Sequence, residues 1–275
     1  MQLGLGTILL FAGLYFASFG RRPFLDYDFI LVWYGFLLLS DLVAKKLSGR
    51  SVFSNIKDFL ILAFSSSFFW IIYEWVNLYL KNWAYPVQSL YSPVEWQVIA
   101  FIAYATVIPN LIISSNIVHG LIFKGKPNFI AYKTGKFLWV IPVGIACFLI
   151  NIVWPIYFFP LVWFGLFLIL DPINLLEGRR SIIAQIIKKN YRPVIVLAIG
   201  ALLAGFFWET INLVVHRWVY PIVPWFWKLP PPATTKYVEM PLAGFLGYIP
   251  FIFSAFAFVE FLSLPIKLLG NKKSS

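Results

Sequence analysis

Residues 31–41 read LVWYGFLLLSD and residues 161–171 read LVWFGLFLILD, six identities in eleven positions at an offset of 130. Both runs stay apolar until an aspartate, Asp41 or Asp171, and both then reach a basic turn, Gly49-Arg50-Ser51 or Gly178-Arg179-Arg180-Ser181. An apolar run closed by a basic loop reads as a membrane helix, so the chain writes one helix twice. Working outward, Glu74-x-x-Asn77-Leu78 through Trp83-x-Tyr85-Pro86 matches Glu209-x-x-Asn212-Leu213 through Trp218-x-Tyr220-Pro221, six identities in thirteen at an offset of 135. A third match pairs Glu95, Phe101 and Tyr104 with Glu239, Phe245 and Tyr248 at an offset of 144. Three matches in one order predict an internal duplication, with units at 1–136 and 137–275.

Composition agrees with the helix reading. Of 275 residues, 61% are hydrophobic and 12% charged, which is not the balance of a soluble domain. A crossing takes roughly 20 apolar residues, and runs near 2–19, 28–47, 59–80, 97–123, 137–156, 158–176, 194–215 and 241–262 predict eight. The expected fold class is therefore all-α integral membrane. Four helices per unit bring the second copy in with the orientation of the first, as two parallel four-helix repeats about an axis along the membrane normal. Nothing basic precedes the first run and Arg21-Arg22 follow it, so it is read as a helix and not as a cleaved leader. Runs five and six nearly touch through Trp154-Pro155 and Pro160, which predicts a tight hairpin. Pro109, Pro142 and Pro250 fall inside runs and predict kinks.

Loop charge sets the orientation. Sixteen of the 22 Lys and Arg fall in the even-numbered loops and the carboxyl tail and six in the odd-numbered loops, so both termini are expected in the cytoplasm of a cell (inner) membrane. The formal net charge is +11. With basic residues confined to loops, the expected partners are the lipid bilayer and anionic headgroups, not nucleic acid. Lone Cys147 permits no internal disulfide. Two histidines, His119 and His216, far apart in sequence, suggest no metal site, and no motif implies a cofactor. The chain also has no phosphate-binding glycine loop, no paired nucleophile and histidine, and no Arg-rich sensor helix, which argues against ATP-driven transport by this chain alone, zinc proteolysis and voltage gating.

The candidate site comes from acidic groups in apolar surroundings, where an ionisable side chain needs a partner or a function. Glu74 and Glu209 lie in the outer thirds of the third and seventh helices, and Asn77 and Asn212 follow on the same faces. Glu95 and Glu239 begin the next helix of each unit. Duplication brings all six towards an outward-facing central cleft, where crowded carboxylates hold a proton near neutral pH. They also suit helix-to-helix hydrogen bonding, and Glu95 and Glu239 suit helix caps. Asp41 and Asp171 are read as salt bridges to Arg50 or Arg179. The Trp-x-Tyr-Pro stretches, with Trp225 and Trp227, are read as an interfacial belt, or a lid over the cleft, and His216-Arg217 as an interfacial pair or a phosphate headgroup site. Aromatic residues make up 20% of the chain, and their faces attract cations.

At Trp208-Glu209-x-x-Asn212, with Tyr220-Pro221 and then Glu239-Met240-Pro241-Leu242-x-Gly244-x-x-Gly247-Tyr248-x-Pro250-Phe251, the sequence resembles a group of bacterial polytopic membrane proteins of unassigned function. The likeness extends to the Leu-x-Trp-x-Gly to Asp stretches and covers about half the chain. It implies an acidic residue soon after Pro250-Phe251, where this chain has Ser254. The resemblance supports the architecture and supplies no mechanism.

Three functions fit these observations. One is a proton-coupled transporter or binder of a small cation or amphiphile. The second is a membrane-embedded acid/base enzyme acting on an isoprenoid or lipid-linked substrate, one Glu as general acid and its partner as base. The third is a membrane scaffold or assembly subunit whose carboxylates only pack helices.

Overall fold

The computed structural model describes residues 1–20, 27–123, 129–220 and 230–263. Among them the regular elements other than helices are a short antiparallel pair, β1 (Lys236–Tyr237) and β2 (Met240–Pro241), and one isolated bridge. Arg21, Arg22, Asp26, Pro221, Trp225 and Trp227 lie outside the described residues. The helices of the first half are α1 (Gln2–Phe19), α2 (Asp28–Ser48), α3 (Ile56–Leu80), α4 (Pro93–Tyr104) and α5 (Val107–Ile122). Those of the second are α6 (Val140–Val153), α7 (Pro155–Phe158), α8 (Val162–Leu176), α9 (Ile182–Ile187), α10 (Tyr191–Val215) and α11 (Tyr248–Phe261).

Six of the described stretches are long and apolar enough to cross a membrane: α1, α3, α4 with α5, α7 with α8, α10, and the stretch from Leu242 through α11. The other two expected runs are helical too, but differ in kind. Helix α2 carries Asp28, Asp41, Lys45 and Lys46, and the 14 residues of α6 rise only about 21 Å against a hydrocarbon core of about 30 Å.

Two antiparallel hairpins occupy matching places. Helix α1 crosses α2 so closely that a Cβ on Gly35 would stand 2.4 Å from the Leu10 backbone nitrogen. Helix α6 crosses α8 at Gly165, where a Cβ would stand 2.4 Å from the Phe148 ring. The break between them falls at Trp154-Pro155, as the hairpin reading expects.

The prolines act differently from the kinks expected of them. Each of Pro109, Pro142 and Pro250 is the third residue of its helix, in the first turn, where a missing N–H costs no intrahelical bond. The run at 97–123 is consequently two helices, broken at Ala105-Thr106. Serines of α3 mend the break: Ser67 Oγ donates to Phe101 O at 2.7 Å, and Ser66 Oγ donates to Tyr104 O at 2.7 Å while accepting from Ile108 N at 2.9 Å.

Asp41 and Asp171 do not form the expected salt bridges. Asp41 accepts from Ser51 Oγ at 2.6 Å and Val52 N at 2.7 Å. Asp171 accepts from Ser181 Oγ at 2.6 Å, Ile182 N at 2.9 Å and Ile183 N at 2.9 Å. The left-handed glycines Gly49 (φ 73°) and Gly178 (φ 75°) turn the chain so that backbone donors reach the buried carboxylate. Arg179 pairs with Glu177 and the Phe261 carbonyl instead. The central core joins both halves through α3, α5, α8, α10 and α11, with Phe69, Leu111, Val162, Leu197 and Phe256 among its buried members.

Candidate functional site

Helices α3 and α10 end in the same way. Lys81 and His216 both take left-handed φ of 48°, and their N–H groups close onto Asn77 O at 2.8 Å and Asn212 O at 2.9 Å. The asparagine side chains fix the turn that follows. Asn77 Nδ2 donates to Trp83 O at 2.8 Å, and its Oδ1 accepts from Asn82 N at 2.9 Å. Asn212 Nδ2 donates to Trp218 O at 3.0 Å, and its Oδ1 accepts from Arg217 N at 2.8 Å. With both ends of each amide held by backbone, these residues shape the turn.

The turns deliver aromatic donors to the glutamates. Glu74 Oε1 accepts from Trp70 Nε1 at 2.7 Å, Trp83 Nε1 at 3.0 Å and the Tyr85 hydroxyl at 2.5 Å. Glu209 Oε1 accepts from Trp218 Nε1 at 3.2 Å and the Tyr220 hydroxyl at 3.3 Å. Gly205 stands at the place of Trp70, and the third donor to Glu209 is the Glu239 backbone N–H at 3.2 Å. Three donors per carboxylate make these low-exposure acids tenable among rings. Burial first, and then Tyr104 and Glu74, push the Tyr85 hydroxyl well above its ordinary pKa. Burial, Tyr248 and Glu209 do the same to Tyr220. Both phenols therefore remain donors.

The two turns also meet. Ala84 and Val219 form an antiparallel bridge, each N–H donating to the other's carbonyl at 3.0 Å. Behind the bridge Trp83 stacks on Trp163 at 5.8 Å, and Phe29 packs edge-on against Trp218 at 6.0 Å.

Between the halves lies a cavity of about 170 Å³, where one water needs about 10–15 Å³ by the same measure. Its described lining is 27 residues, 15 of them aromatic. Many occur as counterparts at the three offsets: Phe29 and Phe159, Trp33 and Trp163, Trp83 and Trp218, Tyr85 and Tyr220, Tyr104 and Tyr248. The polar side chains among them include Asn82 and Arg217, themselves counterparts. Trp33 is fully buried, and its Nε1 has no acceptor among the described residues.

Of the six residues singled out in the sequence, Glu74 sits with Asn77, and Glu209 sits with Asn212 and the backbone of Glu239. Neither Glu74 nor Glu209 is part of the cavity lining; the rings they anchor are. Glu95 closes a capping box with Ser92 at the start of α4. The Glu239 carboxylate faces Lys236 Nζ at 3.7 Å.

Several groups take places that the sequence left open. The Trp-x-Tyr stretches turn inward as chamber walls and not outward as a belt, because carboxylates claim their N–H and O–H groups. Arg217 is held by Asp28, which is itself buried. Ser254 sets its hydroxyl between Trp163 O at 2.8 Å and Phe167 N at 3.0 Å, one turn of α8. Further along α11, Glu260 pairs with Arg180. The spacing of like residues at 130 and 135 was the available signal for Trp33, Trp163 and Arg217. Compared with family models, with curated proteins and with solved structures, the chain matches none.

Proposed function

We propose that this chain is a multi-pass membrane protein of two parallel four-helix repeats, crossing the bilayer eight times with both termini cytoplasmic. Its central chamber binds an amphiphile bearing a cationic or electron-deficient centre. The matched aspartate staples, asparagine turns and glutamate networks support the repeat, and the excess of basic residues in one set of loops supports the orientation.

The observation that carries the ligand reading is the position of the carboxylates behind an aromatic lining. A carboxylate accepting from indole N–H and phenol O–H groups adds negative charge to rings whose faces already attract cations, by about 0.5–2 kcal/mol per ring. The cavity offers too few polar groups to replace the hydration shell of an inorganic ion, so an amphiphile fits better. Arg217 opposite Asn82 makes the two ends unlike and gives a bound molecule a direction. Exchange of a proton at Glu74 or Glu209 for the ligand would make the same chamber a transport site.

A second reading is an acid/base enzyme on an unsaturated lipid or isoprenoid. It is favoured by Tyr85 and Tyr220, which link each carboxylate to the chamber and offer a path for a proton.

Native mass spectrometry of gently solubilised protein tests the binding reading. Wild type is expected to retain a lipid-derived species that Glu74→Gln with Glu209→Gln releases. An empty wild-type chamber, or equal retention by both proteins, overturns it. A retained species found chemically altered after incubation moves the conclusion to the enzyme.

A further inference from the structure

The turn after α3 leaves one polar group over. Asn77 takes the backbone on either side of residue 82: its Oδ1 accepts from Asn82 N at 2.9 Å, and its Nδ2 donates to Trp83 O at 2.8 Å. The Asn82 main chain is thereby fixed, and Asn82 joins the chamber lining with Trp83, its neighbour in the chain. The residue is only 5% exposed, yet its carboxamide has no hydrogen-bond partner among the described residues. Burying an amide that the protein itself does not use is costly unless something else bonds it.

Several other polar heads of the lining are held by the protein. Glu74 takes those of Trp70, Trp83 and Tyr85, and Glu209 takes those of Trp218 and Tyr220. Thr106 Oγ1 donates to Ala103 O at 2.6 Å. The Trp33 N–H is unmatched too, but it is a lone donor on a fully buried ring, whereas Asn82 offers a donor and an acceptor together. Arg217, its counterpart at an offset of 135, is held by Asp28. At the offset of 130 the place of Asp28 falls to Phe158, so the second half brings no acid to the matching place. A charge at 82 would lack the partner that Arg217 has, and an apolar side chain would carry no polar cost. The chain has a neutral amide there instead.

We infer, on the reading of the chamber as the ligand site, that Asn82 selects an amphiphilic alcohol: a molecule with a hydroxyl a few bonds from its cationic or electron-deficient centre. Nδ2 donates and Oδ1 accepts, and a hydroxyl answers both in one contact. A phosphate or carboxylate has acceptors only and sets negative charge against Oδ1. An alkyl group leaves both ends of the amide unmatched. The hydroxyl lies close to the charged centre because Asn82 adjoins Trp83, whose ring stacks on Trp163 at 5.8 Å and whose N–H is taken by Glu74. That is the part of the wall where a carboxylate stands behind the rings that attract a cation.

Two probes that differ by a single oxygen atom test this, octyl-ethyl-dimethylammonium and octyl-hydroxyethyl-dimethylammonium. Each is titrated into the full chain in a neutral detergent, with the emission of the lining tryptophans reporting occupancy. Wild type is expected to bind the hydroxyl probe about threefold to tenfold more tightly, the worth of one neutral hydrogen bond. Asn82→Leu should bind both probes alike, at the affinity wild type shows for the ethyl probe. It should also fold as wild type does, because the carboxamide holds nothing in the protein; should it fail to, Asn82→Ala asks the same question with less bulk. Equal affinities in wild type, or a preference that survives in the variant, overturn the role of Asn82 and leave the chamber reading standing. No binding of either probe by wild type overturns the chamber as a cation site, and the role of Asn82 with it.

Discussion

Ala84 and Val219 exchange both of their backbone hydrogen bonds, each at 3.0 Å, and they hold the same place in two stretches 135 residues apart. An antiparallel pair of this kind has a local two-fold axis through its midpoint. The seam between the halves is therefore pinned by backbone, and side-chain changes at either position are tolerated. Ala84→Pro removes the donor and is expected to lower stability by about 1–3 kcal/mol, whereas Ala84→Val leaves it within about 0.5 kcal/mol. Thermal midpoints of the two variants in one detergent decide this.

The staples at Asp41 and Asp171 predict a matched loss. Asp171→Asn turns an amide N–H towards Ser181, Ile182 or Ile183, all donors, and is expected to cost about 2–4 kcal/mol. Asp41→Asn, meeting Ser51 and Val52, should cost about as much. Arg179→Gln should cost clearly less than either, because neither carboxylate depends on it. Denaturant or thermal unfolding of the three variants makes the comparison, and an arginine variant as damaging as Asp171→Asn would restore the salt-bridge reading.

Two glycines at matching places predict unequal outcomes. At Gly35 the obstacle to a methyl group is the Leu10 backbone, and at Gly165 it is the far end of the Phe148 ring. A ring end swings aside and a backbone does not. Gly35→Ala is expected to cost more than about 2 kcal/mol and Gly165→Ala about 1 kcal/mol or less. Equal melting points for the two variants would contradict the close α1–α2 crossing.

Tyr85 and Tyr220 set an alkaline limit. Their folded pKa values lie above the ordinary value of about 10, so the folded state holds protons that the unfolded chain releases. Their contribution is complete below about pH 10 and falls as pH rises beyond it. Ultraviolet titration should show these two among the phenols that ionise only on unfolding. Tyr85→Phe with Tyr220→Phe should remove that pair from the titration and flatten the loss of stability above pH 10.

Much of the architecture could be read from periodicity and charge alone. All eight apolar runs contain helices, and each of Asp41 and Asp171 is followed by a turn with a left-handed glycine, Gly49 or Gly178. What escaped depends on partners distant in the chain. Pro109 marks a discontinuity in the run at 97–123, but whether it kinks or divides the helix depends on Ser66 and Ser67, some forty residues earlier. Arg217 is paired with Asp28, 189 residues away, a partner that no local pattern announces. Trp83 and Tyr85 have the composition of a membrane belt, and only the direction of their N–H and O–H groups, fixed by Asn77 and Glu74, turns them inward. The glutamates drew attention as buried charge. Their place behind the cavity wall follows from those same donors and is not encoded in spacing.

The bridge between Ala84 and Val219 bears on how the protein is made. During synthesis the first half reaches the bilayer with Trp83 lacking Trp163 beneath it and with the Ala84 N–H and carbonyl awaiting a strand that has not yet left the ribosome. No chamber exists until α8 and α10 have inserted. A chain cut short after α5 therefore leaves the Trp83 ring and the Ala84 backbone edge without the groups that cover them in the finished protein.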